Sequence, residues 1–304
     1  MRRRDFIACV GGAATWPLAT RAQQPRKMHR IGVLWHGANA EEEAIYLAAL
    51  RQGLRDSGYV EGENVVLEMR FPAEQYERFF VFAAELAQQK VDVLVSAAGI
   101  AAVACHRATT TIPIVAVNVP DPVGRKLVAA LNRPGGNLTG LSNMAVELTT
   151  KRIELAKEMT KDLSRVALLV NAADEIGSRA YIAEGEAAGP QLGVAVVPVG
   201  VRDANTLEGA ISKISTDNLQ ATVVTHDGLF YVQRKRLADL ALEKRLPTLG
   251  LLKSSGKPAC LQPMDRTCLP YTDAQARLST RSSKGQTPPT FLLSNPRNLN
   301  FLST

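Results

Sequence analysis

The chain has 304 residues, 46% hydrophobic and 21% charged, which excludes bulk disorder and favours two domains, because single cores usually stop growing before that length. Its formal charge of +7 sits at the ends: residues 1–22 carry net +3, residues 253–304 net +5 and the 230 residues between them net −1. A basic recognition face on the folded body is thereby excluded, and no nucleic-acid partner is expected.

At the N-terminus, Arg2, Arg3 and Arg4 precede an apolar stretch from Phe6 to Leu18 and a small-residue exit at Thr20-Arg21-Ala22. This reads as an export signal cleaved near Ala22, with the periplasm as destination. Arg3-Arg4-Asp5-Phe6-Ile7 resembles the twin-arginine signal. Gly11, Gly12, Trp16 and Pro17 interrupt a stretch too short to span a bilayer, and no later segment is long and apolar enough. Cys105 stands alone in the body, so no disulfide framework or metal-ligand spacing is expected, and no cofactor.

From Arg30 onward, β-branched runs alternate with amphipathic stretches, the pattern of a parallel sheet covered by helices. Strands are expected at 31–35, 65–71, 91–95 and 113–117. Helices are expected at 41–57, where Ala44, Leu47, Leu50 and Leu54 share a face, and at 75–89. A long helix from Val146 to about Lys161 separates this series from its repetition. There Arg165–Asn171 restates Arg30–Leu34, strands follow at 194–199 and 221–225, helices at 204–215 and 229–244, and Leu246–Leu249 restates Thr111–Ile114. The fold class is therefore α/β, two lobes with a parallel sheet flanked by helices in each, the first at 28–120 plus about 124–143 with its crossover and the second at 146–252. The chain is expected to cross near 118–124, around Asn143 and near Leu249. One continuous α/β domain is the alternative.

In open α/β sheets ligands bind at the strand carboxyl ends. Two turns there follow a strand and open a helix: Ser96-Ala97-Ala98-Gly99 and His226-Asp227-Gly228. Helix N-termini offer unpaired N–H groups to a carboxylate, Ser96 a hydroxyl, and Asp227 an acceptor for an ammonium, so together they suit an amino-acid-like zwitterion. Simple N-capping is the competing reading for both. The rigid loop Asn118-Val119-Pro120-Asp121-Pro122 places Asn118 and Asp121 at the cleft edge, unless the turn bonds only itself. Asn143, at the expected crossing, is counted with them. Trp35 and His36 end the first strand as an aromatic wall or as packed core. The sequence contains no phosphate-binding loop, no G-x-G-x-x-G after a strand and no H-E-x-x-H. Cys105 and His106 are adjacent on a helix and point apart, so they do not form a nucleophile and base.

Arg133-Pro134-Gly135-Gly136-Asn137-Leu138-Thr139-Gly140-Leu141-Ser142, with Thr111–Val115 and Asp121-Pro122-Val123 before it, resembles the ABC transporter substrate-binding proteins of the tryptophan- and tyrosine-binding type. Leu148, Lys151-Arg152 and Arg165–Asn171 continue the likeness, which covers the signal and about residues 28–252. It implies the type I periplasmic binding-protein fold, no catalytic activity, a small-molecule ligand and a membrane permease as partner, the binding protein itself acting as a monomer. Ligand contacts are implied for Ser96, Ala98 and Gly99, for Asn118 to Asp121, and for Asp227. Ala97, Ala98 and Ile100 stand where relatives often place Gly, a hydroxyl residue or Pro. The competing functions are a ligand-sensing module and an α/β hydrolase or transferase.

From Lys253 the alternation stops. If each codon is reread from the last base of one present codon and the first two of the next, Lys284 onward permits Gly-Pro-Asn-Pro-Ala-Asp-Leu-Pro-Val-Glu-Gln-Pro-Thr-Lys-Phe-Glu-Phe, which resembles the family's C-terminal region. After Lys253 the same shift permits Glu-Phe-Gly-Glu-Ala-Gly. Residues 253–304 are therefore expected to be an irregular, frameshifted tail that leaves the second lobe incomplete.

Overall fold

A computed structural model describes residues 28–250 and the backbone of Leu292–Leu293. The expectations for the signal at 1–22 and the tail at 253–304 fall outside the described residues, apart from that backbone pair.

Strand and helix alternate through the first half as β1 (His29–Leu34), α1 (Ala44–Asp56), β2 (Val65–Arg70), α2 (Tyr76–Gln88), β3 (Val93–Ala97), α3 (Gly99–Ala108), β4 (Ile114–Pro120) and β5 (Leu138–Asn143). The strands make one parallel sheet in the order β2-β1-β3-β4-β5. Period-two alternation divides its side chains between two cores. Ile31, Val33, Trp35, Val95 and Ala97 face Leu47, Leu50 and Leu54 of α1. Leu34, Leu94, Ile114 and Leu138 pack under α2 and α3.

The second half runs α4 (Leu148–Met159), β6 (Arg165–Asn171), α5 (Glu175–Leu192), β7 (Ala195–Val201), α6 (Leu207–Thr216), β8 (Ala221–Val224), α7 (Gly228–Val232), α8 (Arg234–Glu243) and β9 (Thr248–Leu249). Its strands form a separate parallel sheet, β7-β6-β8-β9. β10 (Leu292–Leu293) pairs antiparallel with β5, on the edge of the first sheet.

The expected helix at 229–244 is two helices, broken at Gln233. The helix α5 and the strand β5 were not anticipated. The chain crosses between sheets after Asn143, where Ala145, Ile153 and Ala156 enter the second core. Around 118–124 it does not cross: Leu127 and Val128 turn back into the first core and β5 returns beside β4. Both sheets reverse their strand order next to the first strand of the lobe, between β1 and β3 and between β6 and β8, and such switch points open a crevice at the carboxyl ends.

Candidate functional site

The two crevices face each other across a cavity of about 730 Å³. The first lobe contributes Trp35 and His36 from the end of β1, Tyr46 from α1, Ala97 to Ile100 from the β3–α3 turn, and Asn118 from β4. His226, Asp227, Gly228 and Tyr231 close it from the second lobe.

α3 points its N-terminus at this space. Its N-cap residue, Ala98, has no side-chain cap and sits at φ 84°, ψ 159°, a region essentially reserved for glycine. Hydrogen bonds from its own N–H to the Val117 carbonyl (3.1 Å) and from the Ala102 N–H to its carbonyl (3.2 Å) hold it there. Strain of ~1–3 kcal/mol less a glycine entropy cost of ~0.5–1 kcal/mol gives the expected effect of Ala98→Gly. The variant is expected to be about 1 kcal/mol more stable, and a lower urea midpoint than the parent's would contradict this.

Asp227 caps α7. Its Oδ1 accepts from the Leu229 N–H (2.9 Å) and from Asn171 Nδ2 (2.8 Å). Burial raises its pKa, as does Asp174, while the two hydrogen bonds and Arg125 pull it down. Beside it His226 is driven down to about 4, first by burial and then by Arg152 and His36, so its imidazole is neutral at pH 7. Asn118, at φ 61°, lies 3.0 Å through Nδ2 from His226 Nε2 and accepts from Asn143 Nδ2 at 2.7 Å. A neutral ring nitrogen accepting from the Asn118 amide completes a chain from Asn143 across the lobes.

Behind the aromatic wall three carboxylates surround one imidazole. Glu43 is fully buried at the N-terminus of α1, where the helix dipole favours an anion. It accepts from Trp35 Nε1 at 2.9 Å, and its other oxygen lies 3.9 Å from His36 Nε2. Glu74 meets His36 Nδ1 at 3.0 Å. Burial pushes Glu74 up to about 7; His36 opposes this, and Asp227 and Glu43 add to it. His36 is also raised: burial works against its proton, but Glu74, Glu43 and Asp227 outweigh burial. Among the described residues no group of three or more His, Cys, Asp or Glu has the arrangement of a metal site.

Arg125 fastens the lobes. Its guanidinium makes a buried bidentate pair with Asp174, the N-cap of α5, at 2.7 and 3.2 Å, and donates to the Pro120 carbonyl at 3.1 Å. Gly99 and Gly177 flank it, and a β-carbon at either would collide with it. Tyr231 reaches from the second lobe to set its ring edge-on against Tyr46, centroids 6.4 Å apart, and edge-on to His36.

Of the residues singled out from the sequence, Trp35, Ala98, Gly99, Asn118 and Asp227 line the cavity. Ser96 does not. Alternation turns Val95 and Ala97 to the cavity and Ser96 to the opposite face, where it is fully buried and its hydroxyl has no described partner. Nor does Ser96 cap α3. Asp121 is also off the cavity wall; its carboxylate accepts from the Gly124 N–H at 2.8 Å and closes its own turn. Asn143 stands one residue behind, bonded to Asn118 and to the Ala145 N–H. Glu43, Tyr46, Glu74, Arg125, Asp174 and Tyr231 were not singled out. The one available signal was the pair of acids just before helices, at 43 and 74.

Two α/β lobes closing on a solute-sized cavity at their strand carboxyl ends define a binding protein of the type I periplasmic kind, a class that holds ligands rather than transforming them. The chain belongs to the ABC transporter substrate binding protein family, whose model matches residues 41–261. A tyrosine-binding protein of Clostridioides difficile (strain R20291) is 25% identical over 213 residues, 69% of this chain and 60% of that one, so the chain spans less than two thirds of that relative's length. Among solved structures, a conserved domain protein from Vibrio cholerae O1 biovar eltor superimposes with a TM-score of 0.67 at 25% identity, covering 75% of each chain. An ABC domain in complex with L-Trp from Streptococcus pneumonia gives 0.64 at 22% identity, covering 73% of this chain and 74% of that one.

Proposed function

We propose that this protein is the exported solute-binding component of an ABC uptake system, which captures a small amino-acid-like solute in the periplasm and presents it to a membrane permease. The observation that carries the reading is the placement of an acceptor and a donor end across one aromatic-walled cavity. Asp227 lies on one side and the uncapped N-terminus of α3 on the other. In this reading the solute carboxylate takes the N–H groups of Gly99 and Ile100, where the helix dipole favours an anion. Its ammonium takes Asp227, whose described hydrogen bonds both engage Oδ1 and leave Oδ2 for the ligand. Trp35, Tyr46 and Tyr231 offer flat apolar faces to the rest of the solute. That one relative is named a tyrosine-binding protein agrees with an aromatic solute.

A thermal-shift screen of amino acids and small organic acids tests the class, because a ligand of the folded state alone raises Tm. Losing one partner of a charge-assisted hydrogen bond costs ~1.5–3 kcal/mol, so Asp227→Ala is expected to weaken L-tyrosine binding about tenfold or more. Unchanged affinity in titration calorimetry would remove Asp227 from the site.

A further inference from the structure

Glu74 belongs to the first lobe and stands against the second. The loop that carries it has two consecutive residues in the left-handed region, Ala73 at φ 56° and Glu74 at φ 57°, a conformation costly to non-glycine residues. Hydrogen bonds from the Ala73 N–H to the Gly37 carbonyl (3.0 Å) and from the Glu74 N–H to the His36 carbonyl (3.1 Å) hold the loop. The Glu74 carboxyl thereby lies so close to Gly228 that a β-carbon at Gly228 would collide with it. Gly228 lines the main cavity, and Glu74 lines a second interlobe space of about 700 Å³ with Leu229 and Gln233.

The groups around Glu74 come from both lobes. His36 pairs with it from the end of β1, Glu43 adds a charge from α1, and Asp227 adds another from the β8–α7 turn. Asp227 in turn feels Asp174 and Arg125, which neutralise each other as a pair. Tyr231 covers His36 from α7. Closure brings the Asp227 carboxylate up to the two that already flank His36, adding negative charge beside Glu74, and separation takes it away again.

We propose that Glu74 is a proton-dependent latch between the lobes: its carboxyl closes the cleft against Gly228 when it carries a proton and favours opening when ionised. This rests on reading the protein as a solute binder whose lobes close. With burial pushing Glu74 up to about 7 in the closed form, closure takes up a proton as pH falls through that value. The closure constant therefore falls as pH rises towards ~7 and levels off above it.

The chain has two tryptophans, Trp16 and Trp35, so W16F in the full chain leaves Trp35, in the cavity wall, as the reporter. Ligand-free, its emission maximum is expected to shift to the red, and the radius of gyration in small-angle scattering to rise, as pH increases from 4.5 to 7. E74Q keeps an uncharged side chain of the same shape and is expected to lose that step and stay closed. G228A is expected to be open at every pH and serves should E74Q not fold. A pH step in E74Q equal to the parent's, or one that persists in G228A, overturns the proposal. An L-tyrosine titration alongside separates the two readings. Binding without a pH step sinks the latch, whereas a pH step without binding supports the latch and counts against the solute.

Discussion

Asp174→Ala is expected to open the cleft, lowering the closure constant by a factor of about 10²–10⁴. The Arg125 and Asp174 side chains are 4% and 6% exposed, so removing one leaves the other's charge buried and unpaired, a loss of about 3–5 kcal/mol. Arg125 is fixed to the first lobe by the Pro120 carbonyl, and Asp174 to the second as the cap of α5. The lobes can therefore relieve the cost by parting, which rehydrates Arg125. A larger radius of gyration and a matching loss of affinity for L-tyrosine check this. The lost cap, in which Asp174 accepts from the Gly177 N–H at 3.2 Å, removes about 1 kcal/mol more from the second lobe itself. Because a buried ion pair replaced by apolar groups of similar volume is often neutral, R125M/D174L is expected to recover closure. If Asp174→Ala leaves scattering and affinity unchanged, the pair does not hold the lobes.

Gly140→Ala is expected to destabilise the first lobe by more than about 4 kcal/mol. At φ 150° its β-carbon would run into the backbone N, C and O of Ala116, its partner across the β4–β5 ladder. A clash with a side chain can be relieved by a rotamer change, but backbone in the middle of a sheet cannot move aside. The two strands would have to part, and β4 is the strand that carries Asn118 to the cavity. The expected drop in Tm is roughly 8–16 °C, taking ~2–4 °C per kcal/mol for a fold of this size. Gly53→Ala is the control: it lies within α1, a β-carbon there meets nothing within 4 Å, and it is expected to stabilise the protein by about 0.5–1 kcal/mol. A Tm for Gly140→Ala within a degree or two of the parent's would show that the strands tolerate the insertion.

Gly140 lies in the segment by which the family is recognisable, and that segment builds structure rather than lining the cavity. Gly135 turns at φ 82°. Asn137 Nδ2 donates to the carbonyls of Thr109 (3.1 Å) and Ile112 (2.7 Å), tying the loop after α3 to the start of β5. A motif can identify a family because the backbone there admits few residues, without any of them touching the ligand.

What the sequence determined by itself was set by neighbours in the chain. Periodicity of two and of 3.6 is imposed by the backbone, and it marked β1, β2, β6 and α2 within a residue or two, while α1 starts three residues later than expected. The repeated order implied two lobes, and turns after β3 and β8 implied a crevice between them. The same alternation, carried one residue further, places Ser96 away from the cavity. The tertiary structure alone decided which side chains meet across the cleft: Glu74 with Gly228, Arg125 with Asp174, Tyr46 with Tyr231. None of these pairs shares a strand, a helix or a turn. Each depends on how two separately folded lobes dock, and local propensity holds no information about an interface whose two sides lie more than 150 residues apart or, for Arg125 and Asp174, across the crossing itself.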